Sequence, residues 1–149
     1  MSVEDIKLEL KELLEKLTID DAQITESNLG DALTFNIDTE HHAILIGRHG
    51  ENLRSLQHLL NTLVRKRDKS APFVAVDVAD YKKSRQEKLM KIAQEAANRA
   101  RDEHTEVRLK PMNAFERRQV HMVLADEADI VTESVGEEPY RTIVVRPRD

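Results

Sequence analysis

Ile46-Gly47-Arg48-His49-Gly50-Glu51-Asn52-Leu53 is the stretch on which the reading of this chain turns. An apolar run, Ala43-Ile44-Leu45-Ile46, leads straight into Gly47. Beyond Gly50, Leu53, Leu56, Leu59, Leu60 and Leu63 recur at helical spacing as far as Arg65-Lys66-Arg67. The glycines therefore bracket a corner between a short helix and a long one. Lacking a Cβ, they let a phosphate chain approach the backbone. The helix opening at Gly50 offers free N–H groups and a positive dipole end to anions. Arg48 adds a fixed charge, and His49 a donor that is partly charged at neutral pH. A lone GxxG is a weak signal, and taken alone it is better explained as a helix corner with exposed polar residues. The neighbouring elements reverse that judgement.

Upstream, Ser2-Val3-Glu4-Asp5 reads as a helix N-cap followed by first-turn acids. Val3, Ile6, Leu10, Leu13, Leu14 and Leu17 continue the helix, which is expected to end at Asp20-Asp21. Residues 22–27 and 33–38 alternate as strands, with a hairpin signal at Asn28-Leu29-Gly30-Asp31. Residues 40–46 form a short turn or helix, and 73–79 a valine-rich strand after Pro72. Asp80 is positioned to cap a long helix over 81–104, with Leu89, Ile92, Ala93, Ala96, Ala97 and Ala100 on one face. A short strand over 106–110 follows. Asn113 and Glu116 then form a capping box for a helix reaching about Ala125. Strands over 129–133 and 140–146 flank a turn at 135–139. The pattern predicts an α+β architecture of two small domains, 1–80 and 81–149, each a small sheet covered by helices, with no linker between them.

The 149 residues suffice for one ordinary domain or two small ones. The absence of cysteine excludes a disulfide scaffold, a thiolate zinc site and a cysteine nucleophile. The net charge of -5 is unevenly spread. Residues 1–40 hold three Lys and eleven Asp or Glu, whereas residues 41–67 hold five Lys or Arg against Glu51 alone. A basic island thus sits behind an acidic front, and phosphate contacts need local charge rather than net charge. Met1 to Leu17 is unlike a signal peptide, and no apolar run approaches the roughly 20 residues that span a bilayer. A soluble cytoplasmic protein without membrane contact is expected. His41-His42 reads as a solvated helix start rather than a metal site, and His58 and His104 as surface residues. No P-loop, dinucleotide fingerprint or catalytic carboxylate motif is present, so no enzyme activity and no cofactor are expected. Aromatic residues make up 3%, which argues against extensive base stacking.

The Ile46–Leu53 stretch, followed by Leu56-Gln57, resembles the KH signature of bacterial RNA-binding proteins, and the element order resembles the type II, prokaryotic KH fold. His49 departs from that pattern, since relatives usually carry a second Lys or Arg there. Leu109 to His121, and Val131 to Arg141, closely resemble the R-three-H domain, named for the Arg and His found here as Arg117 and His121. KH followed by R-three-H is similar to the Jag family, the SpoIIIJ-associated proteins of bacteria. Members often carry an extra N-terminal domain and a charged linker, whereas this sequence starts almost at its KH domain.

The resemblance implies binding of single-stranded RNA, with single-stranded DNA as an alternative ligand. A post-transcriptional regulator or RNA chaperone linked to the cell envelope or division is the implied role. The other reading is an adaptor whose KH surface pairs with a small single-KH protein. Gly47, Arg48, His49 and Gly50 are expected to grip phosphates. Arg54, Arg65, Lys66 and Arg67 are expected to steer the approach. Arg117, Arg118 and His121 are expected to form a second patch, with Arg117 and His121 exposed on one helix face.

Overall fold

In the computed structural model, Ser2 opens α1 (Val3–Lys16) with a reciprocal cap: Asp5 N–H donates to Ser2 Oγ at 3.1 Å and Ser2 N–H to Asp5 Oδ2 at 2.8 Å. The structure describes residues 1–29 and 32–149, and the chain divides into two units, Met1–Lys82 and Lys83–Asp149. The first contains β1 (Gln23–Leu29), β2 (Ala32–Asp38), α2 (His42–Ile46), a single 3-10 turn at Arg48–Gly50, α3 (Glu51–Arg67) and β3 (Val74–Val78). This is the helix–strand–strand–helix–helix–strand order that the sequence predicts.

β2 lies between β1 and β3, antiparallel to the first and parallel to the second. Alternation places Leu33, Phe35 and Ile37 of β2 and Val74, Val76 and Val78 of β3 on one buried face. Ile6, Leu10 and Leu14 of α1 and Leu53, Leu56, Leu60 and Val64 of α3 complete that core. The other face carries Thr34, Asn36, Ala75 and Asp77, all partly exposed.

Some boundaries differ from expectation. α1 ends at Lys16 rather than Asp20-Asp21: Thr18 turns to φ 63, and Ile19 folds back into the core with its N–H on Leu14 O at 2.9 Å. Burial of Ile19 outweighs the extra helical turn. Gly30-Asp31 of the expected hairpin turn lie outside the described residues, while Leu29 and Ala32 on either side are in register. Asp80 adopts φ 54, and the carboxylate that accepts Lys82 N–H, at 3.3 Å, belongs to Asp77.

The division falls at the start of α4 (Tyr81–Glu103). The second unit continues with β4 (Val107–Arg108), α5 (Ala114–Leu124), β5 (Ile130–Val135) and β6 (Thr142–Pro147), in an antiparallel sheet of order β4-β6-β5. Leu89, Ala93, Ala96, Ala97 and Ala100 of α4 pack with Val120 and Leu124 of α5 and with Ile130, Ile143 and Val145 of the sheet. Asn113 caps α5 by accepting Glu116 N–H at 2.9 Å. No helix among the described residues is long and apolar enough to cross a membrane.

Buried Asn61 of α3 is a test of the first unit. Its Oδ1 accepts Val74 N–H at 2.9 Å and its Nδ2 donates to Val74 O at 2.8 Å. Asn61→Leu leaves both backbone groups unpaired and is expected to cost about 2 kcal/mol or more in urea unfolding. An unchanged midpoint would contradict this account of the β3 edge.

Candidate nucleic-acid interface

The corner between α2 and α3 is made of left-handed backbone. Gly47, His49 and Gly50 have φ of 70, 53 and 73. A Cβ on Gly47 would lie 2.6 Å from Asn52 Cγ, and one on Gly50 would lie 2.8 Å from Tyr81 Cε1. Glycine is thus required at both positions by conformation and by space. Asn52, in the first turn of α3, ties the corner down by donating from Nδ2 to Ile44 O at 2.8 Å. Gly50 is the N-cap of α3 and no side chain caps it. Its N–H turns back to Gly47 O at 3.4 Å and Glu51 N–H to Arg48 O, so the positive end of a 17-residue helix stands at the loop without a capping side chain. Arg48 is exposed and has no ion-pair partner among the described residues.

The predicted cations divide. Arg54 is exposed in the first turns of α3, beside the loop. Arg65, Lys66 and Arg67 are exposed at the far end of the same helix, about 25 Å away at 1.5 Å per residue. Arg67 is also committed to buried Glu9 of α1 at 2.7 Å. The structure therefore does not bring this cluster to the loop, and Arg67 anchors α3 to α1. His41, His42, His58 and His104 are all exposed, and no described group of three acids or histidines is placed to hold a metal ion.

Arg117 is not the exposed charge that the sequence suggests. Its side chain is 9% exposed. Nη1 donates to Met112 O at 2.7 Å, and Nη2 meets Glu138 Oε1 at 2.9 Å. A guanidinium can be buried when its fork is met in this way by a carbonyl and a carboxylate. Arg117 thereby fastens the β5–β6 loop and the segment before α5. His121 is half-buried, with Nδ1 2.6 Å from Thr132 Oγ1 and Nε2 3.0 Å from Ser134 Oγ. Burial first, and then the Arg117 charge, hold its pKa below the ordinary 6.5. His121 is thus a neutral ring engaged at both nitrogens, not an exposed proton-gated donor. Arg118 stays exposed without an ion-pair partner among the described residues. Sequence reasoning missed Thr132 and Ser134, whose i, i+2 spacing on a strand was the available signal. It also missed Asn52 and Tyr81, which shape the loop only through tertiary contact.

A four-residue glycine corner feeding a helix N-terminus, followed by a helix–sheet unit with a clustered Arg and His, defines a KH unit followed by an R-three-H unit. The KH domain model of the KhpA/KhpB proteins matches residues 6–76, and the R-three-H domain model matches residues 87–147. This chain belongs to the Jag, or KhpB, family. It is 34% identical over 113 residues to an RNA-binding protein KhpB of Clostridium symbiosum, covering 76% of this chain and 51% of that protein. It is 35% identical over 115 residues to that of Lactiplantibacillus plantarum, covering 77% and 36%. To that of Streptococcus pneumoniae it is 30% identical over 146 residues, covering 96% and 44%. The chain therefore spans about half or less of the length of these relatives.

Two measurements test the second unit. Arg117→Ala is expected to lower stability by about 1–3 kcal/mol, by leaving Met112 O and Glu138 without their donor. Arg118→Ala should change it by less than about 0.5 kcal/mol. Equal losses on denaturation would refute the distinction. The depressed His121 pKa means that the unfolded chain takes up this proton first as pH falls. Its contribution is therefore complete above about pH 6.5 and lost below it. The melting temperature should fall more steeply between about pH 7.5 and 5.5 in the parent than in His121→Gln, and parallel curves would contradict that.

Proposed function

We propose that this chain binds single-stranded nucleic acid, RNA before DNA, and acts as a binder rather than as an enzyme. The observation that carries the reading is the left-handed loop at Gly47–Gly50, with exposed Arg48 beside it and the uncapped start of α3 behind it. A helix dipole and an exposed cation converge there on a glycine-bracketed turn. KH modules clamp a few backbone nucleotides through such a loop and need unpaired bases beside it. The similarity to proteins named RNA-binding supports RNA as the ligand. The His121–Thr132–Ser134 cluster, with exposed Arg118 on the same helix as His121, is the second contact. The finer role, a cytoplasmic regulator or chaperone of transcripts tied to the envelope or division, rests on the family resemblance.

A second reading is an adaptor that pairs with a small KH protein. Exposed apolar residues in the first unit favour it: Ile44 at 67%, Phe73 at 50% and Leu59 at 45%.

Titrating a labelled single strand over a range of salt separates the two readings. Phosphate binding should weaken steeply, with a slope of about -0.7 per phosphate contacted in a logarithmic plot, whereas apolar pairing should not. The double change Arg48→Asp and His49→Asp is expected to weaken binding by roughly 1–3 kcal/mol with the fold retained. A duplex of the same sequence should compete poorly. Salt-independent affinity, or a duplex that competes equally, would remove the loop from the site.

A further inference from the structure

β3 pairs with β2 on one side only, and its other side faces α3. In a parallel pairing alternate residues turn to opposite sides, so Val74, Val76 and Val78 direct their N–H groups away from β2. Side-chain oxygens take all three: Asn61 Oδ1 at 2.9 Å, Gln57 Oε1 at 3.0 Å and Asp77 Oδ1 at 2.8 Å. A strand edge normally presents these donors to an incoming chain or base. Here the protein's own side chains have consumed them.

The two α3 amides are not equally spent. Asn61 Nδ2 donates to both Gln57 O and Val74 O, each at 2.8 Å, so both ends of its amide are used. Gln57 Oε1 receives Val76 N–H and also Lys82 Nζ, the latter at 2.9 Å. Two obligate donors on one atom identify it as the oxygen and fix the amide's orientation. The end left over is Nε2, which has no partner among the described residues, on a half-buried side chain. Gly50, Arg54, Gln57 and Asn61 recur at spacings of four, three and four, so they share one stripe of α3. That stripe begins at the phosphate-binding loop, passes the exposed Arg54, reaches the spare amide donor and ends at the sealed edge.

The geometry points to Gln57 Nε2 as a base-reading donor, taking the acceptor edge of one unpaired base just beyond the phosphate grip. This rests on the nucleic-acid reading above and adds where base selectivity resides. The amide is held before a ligand arrives, so little rotamer entropy is lost on contact. The N–H groups of β3 take no part, and Asn61 closes the path beyond Gln57.

Gln57→Glu tests the assignment. It keeps an oxygen facing Val76 N–H and Lys82, but replaces the spare donor with an acceptor. Gln57→Ala removes the group. Adenine, cytosine and uracil homopolymers of equal length are titrated against the parent and both variants at one salt concentration, with melting temperatures as a check on folding. The parent should prefer one homopolymer by about threefold to tenfold, the size of one hydrogen bond. Gln57→Ala should flatten that preference. Gln57→Glu should weaken binding overall and shift the order toward adenine and cytosine, which carry exocyclic amines, and away from uracil. If Gln57→Ala melts early, the isosteric Gln57→Glu carries the comparison. A parent without preference, or an order unchanged in the variants while strands still bind, overturns the role of Gln57 and leaves the loop reading standing. A parent that binds no strand overturns both.

Discussion

Four residues have to turn the chain from α2 into α3, and they do so with φ of 70, 53 and 73 at Gly47, His49 and Gly50. The turn is held from two sides. Asn52 Nδ2 bonds Ile44 O across it, and the Tyr81 ring packs where a Cβ on Gly50 would be. These contacts leave no room for a Cβ at either glycine, so the turn keeps this shape only with glycine at both positions. The same turn sets the direction of α3, so the helix dipole and the loop address a single point.

α3 links this corner to the rest of its unit. Leu53, Leu56, Leu60 and Val64 fill the core, while Arg67 at the far end is fixed to Glu9 of α1. Its polar stripe seals β3 through Gln57 and Asn61. A helix fixed along three faces gives the loop a rigid base, and so binding there has little to reorganise. In the second unit Arg117 has the corresponding structural role. Its fork joins Met112 and Glu138, and His121 beside it is turned toward Thr132 and Ser134.

The element order, the glycine corner and the core stripes of α1, α3 and α4 were legible because local periodicity encodes them. What escaped was set by contacts distant in sequence. Arg117 read as a surface charge because arginine is seldom buried, and only the approach of Glu138 and the Met112 carbonyl makes its burial tolerable. Arg65, Lys66 and Arg67 counted toward a basic island in sequence, yet a helix of 17 residues carries them away from the loop. The early end of α1 follows from Ile19 being drawn into the core. Gln57 and Asn61 were visible on the same face as Gly50 and Arg54, but no local pattern reveals that β3 lies against them.

The central claim is that a single strand is held at the loop and the start of α3. The most direct test is the change in backbone amide resonances as a short unpaired RNA is added to the protein. The account predicts the largest shifts of the first unit over residues 47–54, extending to Gln57. Shifts centred on Leu59 and Phe73 with none at the loop, or no shifts at saturating RNA, would contradict it.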